Sequence, residues 1–183
     1  MSDFFYSHLH LKFKSPRTKN PKFYYICKNK YMERILFVCH GNICRSPMAE
    51  FVMKKMVADA GIADQFEIAS AATSTEEIGN PVYPPARRKL AEHGISCDGK
   101  TARQITRRDY EYYNHIVAMD SNNIHNLSRM LGEDKQHKIS LLLNYTDHPR
   151  DVADPWYTGN FEATWQDVND GCRRLLEKLT GKI

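Results

Sequence analysis

The stretch Arg34-Ile35-Leu36-Phe37-Val38-Cys39-His40-Gly41-Asn42-Ile43-Cys44-Arg45-Ser46-Pro47-Met48-Ala49-Glu50 decides how this chain folds. Ile35 to Val38 is a short apolar run of strand formers, the pattern of a strand covered on both faces. Pro47 suits the first position of a helix, where its missing N–H costs nothing, and Ser46 before it suits the N-cap. A strand, a tight polar loop and a helix start therefore follow one another, with Cys39 at the strand end and five residues between it and Arg45.

Such a loop is an oxyanion cradle. Several of its backbone N–H groups turn inward, and the helix N-terminus adds partial positive charge. Arg45 brings a planar fork of donors that can grip two phosphate oxygens together. Cys39 lies at the floor, where the field that attracts phosphate also favours a thiolate, an attacking nucleophile under a bound phosphoryl group. A buried structural cysteine beside a solvated arginine is the plain alternative for any single cysteine. The agreement of strand, spacing, Gly41, Arg45, Ser46 and Pro47 argues against it.

Residues Cys39 to Glu50 resemble the signature loop of the low-molecular-weight protein tyrosine phosphatases, bacterial type. The resemblance implies an α/β fold, a doubly wound four-stranded parallel sheet with helices on both faces. It implies metal-independent hydrolysis of protein phosphotyrosine through a phosphocysteine, with no cofactor. Catalysis would rest on Cys39, Arg45 and Asp154, and the phosphate would be held by the loop of His40, Gly41, Asn42, Ile43, Cys44 and Ser46. Ser46 would donate to the departing thiolate, and Asn42 would fix the strained loop. Asp154-Pro155-Trp156-Tyr157 resembles the family's general-acid loop, with Trp156 where tyrosine is common. Trp156 and Tyr157 would stack on the substrate ring.

Two departures from the family pattern, and two further loop positions, matter. Glu76 stands where an aromatic residue often flanks the cleft, and Lys100 where a histidine often bonds the loop asparagine, so another group must orient Asn42. Relatives that act on phosphoarginine carry threonine at the position of Ile43, so the isoleucine favours phosphotyrosine. Cys44 could close a reversible disulfide with an oxidised Cys39.

The rest of the chain fits one wound domain. At 183 residues, 42% hydrophobic and 26% charged, it can bury a sizeable core. Five cysteines without a CxxC spacing suggest neither a disulfide framework nor a zinc cage, and suit the reducing cytoplasm. Residues 1–31 hold seven Lys/Arg and one Asp, a net of +6. That leaves 19 of the 26 basic and 21 of the 22 acidic residues in 32–183, a net of −2. The domain at 32–183 is therefore not a nucleic-acid binder by charge, and no apolar run approaches the ~20 residues that span a membrane. Residues 1–31 read as a basic, poorly ordered extension, with Met32 a candidate start. A monomer or weak dimer is expected.

In order, a helix is predicted at Met48–Ala60, a strand at Phe66–Ser70 and a helix at Pro85–His93. A short helix over Arg107–Tyr113 follows, its tyrosines in packing roles, then a strand at His115–Met119. A helix capped by Asp120 runs to about Met130, followed by a strand at Lys138–Leu142 and a helix at Asn160–Leu179 with Phe161, Trp165, Val168, Cys172 and Leu175 inward. Alternating strands and helices imply a parallel sheet that binds its ligand beyond the first strand.

Two rival functions share the cradle. A thiol-dependent arsenate reductase would need a further cysteine pair to relay electrons. A non-catalytic phosphotyrosine-binding module would have lost Cys39, Arg45 or Asp154, all of which are present.

Overall fold

The computed structural model describes residues 32–181. The expectation of an N-terminal extension falls on residues outside that range.

The quoted stretch forms strand β1 (Glu33–Cys39), and helix α1 (Arg45–Asp59) leaves from the loop after it. Ile35 to Val38 are fully buried. Their continuous apolar run follows from β1's place in the sheet, since β2 (Phe66–Ala72) pairs on one side and β3 (His115–Ala118) on the other, both parallel. β4 (Ile139–Leu141) completes the order β2-β1-β3-β4, all parallel.

Alternate β1 side chains feed two cores. Ile35, Phe37 and Cys39 pack with α1, α2 (Pro84–Glu92) and α6 (Phe161–Thr180) on one face. Leu36 and Val38 pack on the other with α3 (Arg107–Tyr112) and α4 (Ser121–Leu131), through Tyr110, Leu127 and Leu131. The sheet is thus doubly wound, as expected. On α6, Val168, Cys172 and Leu175 are fully buried, with Phe161 and Trp165 packed at the margin. Gly171 lets α6 close on the turn that follows the last strand, because a Cβ there would stand 2.6 Å from Leu142 Cγ.

The elements sit where the periodicity put them, with shifts of a few residues at the ends. β4 is shorter than expected, because Leu142–Tyr145 tightens into a 3-10 turn. The larger correction is at the start of α1. The helix begins at Arg45, with Cys44 at the cap position and no side-chain cap, so Ser46 is not the N-cap. Its hydroxyl is engaged by Cys39 and Asn42 instead. Pro47 falls at the third helical position, still within the first turn, whose N–H groups have no partner in the helix.

Parallel pairing brings the functional loops to one edge. Thr73 N–H donates to Cys39 O (2.9 Å) and Ser74 N–H to His40 O (3.0 Å), which ties the loop after β2 to the loop after β1. On the other side Val152 N–H donates to Met119 O (2.8 Å), anchoring the segment before Asp154 to the end of β3.

Candidate active site

Cys39 ends the buried central strand with its side chain 3% exposed. The backbone N–H of Asn42 donates to its Sγ at 3.3 Å, and Ser46 Oγ lies 3.0 Å from it. Ser46 accepts from Asn42 Nδ2 at 2.9 Å, so its own proton can go to the sulfur at 3.0 Å or to the more distant Ala71 O at 3.4 Å. Two hydrogen-bonding groups thus converge on one sulfur, at the head of a helix with no side-chain cap.

Asn42 sits at φ +58°, a left-handed conformation that asparagine tolerates better than most residues. Its side chain holds the turn. Nδ2 donates to Ser46 and to Ser70 Oγ (2.8 Å), and Oδ1 accepts from Arg103 N–H (3.2 Å). Hydrogen-bond direction fixes this amide. Ser70 gives its proton to Glu50 Oε2 at 2.6 Å, so its oxygen must accept from Asn42. Glu50 is in turn gripped by Lys100 (3.0 Å) and Lys54 (2.5 Å). Burial opposes its charge, but Lys100, Lys54 and Ser70 together hold its carboxyl below the usual range. Ser70 and the Arg103 amide are therefore the groups that orient Asn42, and Lys100 acts one step behind, through Glu50.

Arg45 is 2% exposed and has its donors divided. Nη1 donates to Asp120 Oδ2 (2.6 Å) and Val152 O (3.0 Å), and Nη2 donates to Asp154 Oδ2 (2.5 Å). Burial alone would weaken its charge; the neighbouring Cys39, Asp154 and Asp120 more than offset that and hold it protonated. Asp154 caps the one-turn α5 (Pro155–Thr158), its Oδ1 accepting from Trp156 N–H at 3.0 Å. Trp156 is thereby aimed at the mouth, where its ring lies 5.2 Å from that of Tyr83; Tyr83 N–H donates to Ile43 O at 2.9 Å.

One cleft brings together Cys39, His40, Gly41, Ile43, Cys44, Arg45, Glu76, Asp154, Trp156 and Tyr157, with Glu77 added. Asn42 and Ser46, expected to hold phosphate, are buried and their side chains do not line the cleft. The His40 ring points outward, with Nε2 3.0 Å from Glu76 Oε2, which leaves its backbone to the cradle. Cys44 is a free thiol whose proton is held tightly, first by burial and then by the charges of Cys39 and Asp154. Among the described residues, neither Cys97 nor Cys172 lines this cleft. Cys172 is fully buried with its thiol toward Ala49 O, and Cys97 lies in the connection after α2. Among the described residues no group of His, Cys, Asp or Glu side chains is arranged to hold a metal ion.

Sequence reasoning missed Asp120, Glu50, Ser70 and Tyr83. Asp120 was legible only as a helix cap, which it is, its Oδ1 accepting from Asn123 N–H; its second oxygen serves Arg45.

A wound parallel sheet that ends in a buried thiol, under a helix start and beside a locked arginine, defines a thiol enzyme that handles a tetrahedral oxyanion. The comparisons narrow the class. The family profile described as low molecular weight phosphotyrosine protein phosphatase matches residues 34–183, and the chain belongs to that family. It is 41% identical over 150 residues to the low molecular weight protein-tyrosine-phosphatase YfkJ of Bacillus subtilis, covering 81% of this chain and 96% of that one. The rat low molecular weight phosphotyrosine protein phosphatase is 41% identical over 149 residues, 79% of this chain and 94% of its own. The crystal structure of YfkJ superposes with a TM-score of 0.80 at 40% identity, over 82% of this chain and 96% of that one. The Streptococcus pyogenes enzyme SP-PTP superposes at 0.73 with 42% identity, over 81% and 93%.

Proposed function

We propose that this chain hydrolyses phosphotyrosine in proteins through a phosphocysteine on Cys39. One observation carries the reading: the Cys39 sulfur receives hydrogen bonds at the head of α1 while a single buried guanidinium, Arg45, touches Asp154. Nucleophile, oxyanion clamp and proton donor converge on one point.

The phosphate enters the cradle, and its equatorial oxygens take the loop N–H groups and the Arg45 fork. Arg45 releases Asp154 to the ester oxygen, while Asp120 and Val152 O keep the guanidinium in place. The Cys39 thiolate attacks phosphorus in line and the P–O bond breaks. Asp154 gives its proton to the departing phenolate, then accepts one from the water that cleaves the S–P bond. Ser46 donates to the sulfur as it leaves. Trp156 and Tyr157 flank the ring, and Ile43 in the cleft wall favours an aryl group. After oxidation of Cys39 to a sulfenic acid, condensation with the Cys44 thiol would expel water and close a protective disulfide.

The substrate is a tyrosine-phosphorylated protein, met by a monomer or weak dimer. Among the described residues no helix is long and apolar enough to cross a membrane. The free thiols Cys39, Cys44, Cys97 and Cys172 support a cytoplasmic setting.

The test is hydrolysis of p-nitrophenyl phosphate in excess chelator, beside phosphotyrosine and phosphoarginine peptides. Cys39→Ser should lower kcat by at least about 10³-fold. Full activity in that variant rules out the covalent route, and faster turnover of phosphoarginine moves the substrate away from tyrosine.

A further inference from the structure

The walls of the cleft differ in charge, and the difference bears on what stands beside the phosphotyrosine. Glu76 and Glu77 form one side of the mouth. The basic residues lining the cleft are Arg45 and His40. Arg45 is buried at the floor and matched by Asp120 and Asp154, so it contributes little positive field at the rim. His40 is turned onto Glu76, yet the Glu76 side chain remains 70% exposed.

Both carboxylates are held in place. Glu76 is 3.0 Å from His40 Nε2, and Glu77 accepts from Asn80 Nδ2 at 2.7 Å. Glu77 also packs onto the loop where Gly41 lacks a side chain: a Cβ there would meet Glu77 Cγ at 3.1 Å. Their segment is fastened at both ends, by Ser74 N–H on His40 O and by Gly79 N–H on Ala102 O (2.9 Å). The same cleft is lined by Trp156, 56% exposed, and Tyr157, 85% exposed. Exposed aromatic rings and carboxylates lining one mouth make a surface that attracts cations.

We propose that Glu76 and Glu77, which share the cleft mouth with Trp156 and Tyr157, select phosphotyrosine flanked by lysine or arginine and disfavour acidic flanks. The proposal rests on the phosphotyrosine reading above. The phosphate dianion goes to the floor, and the neighbouring cation bridges the acidic wall and an aromatic face.

The experiment compares kcat/KM for two matched phosphotyrosine peptides, one with lysine and one with glutamate on both sides, at low and high salt. p-Nitrophenyl phosphate, which has no flanks, runs beside them. Exposed charge pairs are weak, so attraction and repulsion together should give a lysine preference of about five- to twentyfold, shrinking toward one as salt screens it. Glu76→Lys should abolish or reverse that ratio, whatever it does to the aryl phosphate rate. A ratio near one in the wild-type protein, or one unmoved by Glu76→Lys, overturns charge selection while the aryl phosphate rate still upholds the phosphatase. Absence of aryl phosphate hydrolysis overturns both.

Discussion

The floor and the rim of the cleft are built on opposite principles. At the floor, Asn42, Arg45, Ser46 and Ser70 are at most 2% exposed, and each hydrogen-bonds to more than one partner. At the rim, Glu76, Trp156 and Tyr157 stand in solvent with few contacts. Burial makes each polar group at the floor costly to leave unpaired, so its geometry is rigid. Exposure makes each rim group cheap to change. Chemistry is stored where substitution is punished, and recognition where it is tolerated.

That contrast can be broken at three strengths. The strongest is Asp154→Asn, which keeps the size of the side chain and one of its two acceptor oxygens but removes the transferable proton. It should slow esters with poor leaving groups by about 10²–10³-fold and p-nitrophenyl phosphate much less. An equal loss on every ester would take Asp154 out of the acid role.

Next is Glu50→Gln, under the floor. It leaves Lys100 with the Ser70 carbonyl but no carboxylate and should cost about 3 kcal/mol in a urea titration at pH 7. The pH dependence has a definite sign. The folded carboxyl titrates below its usual 4.5, so its contribution is complete above that value and fades as pH falls through the folded pKa. The variant should therefore lose part of the wild-type decline in stability between pH 5 and pH 3. An unchanged acid limb would show that Glu50 carries no such linkage.

The mildest is Trp156→Ala at the rim. Loss of ring contact should raise KM for phosphotyrosine peptides about fivefold, with kcat nearly unchanged and no shift in the urea midpoint. A collapse of kcat instead would mean that the ring positions Asp154, whose Oδ1 its backbone N–H already holds.

The same division explains what the sequence disclosed. β1 was plain because a strand buried on both faces leaves an unbroken apolar run. Cys39, Arg45 and Asp154 stood out as candidates because each lies in a dense local pattern, and Asp154 because Pro155 and two aromatics follow it. The scaffold beneath was not legible. Asn42 meets Ser70 from 28 positions away and Arg103 from 61, and no local period announces such partners. Ser46 misled because Ser-Pro at a helix start has a good local explanation, which a closer sulfur and amide overrode.

The central place of β1 has a kinetic consequence. Its residues from Ile35 to Val38 are fully buried and hydrogen-bonded to a strand on each side, so their amides should exchange with deuterium last, at the free energy of global unfolding. The segments that bring Glu76 and Asp154 to the same site hang from that strand and its neighbour by a few backbone bonds, and should open first. Mild denaturant would then silence turnover well before the sheet gives way, and dilution would restore it without refolding.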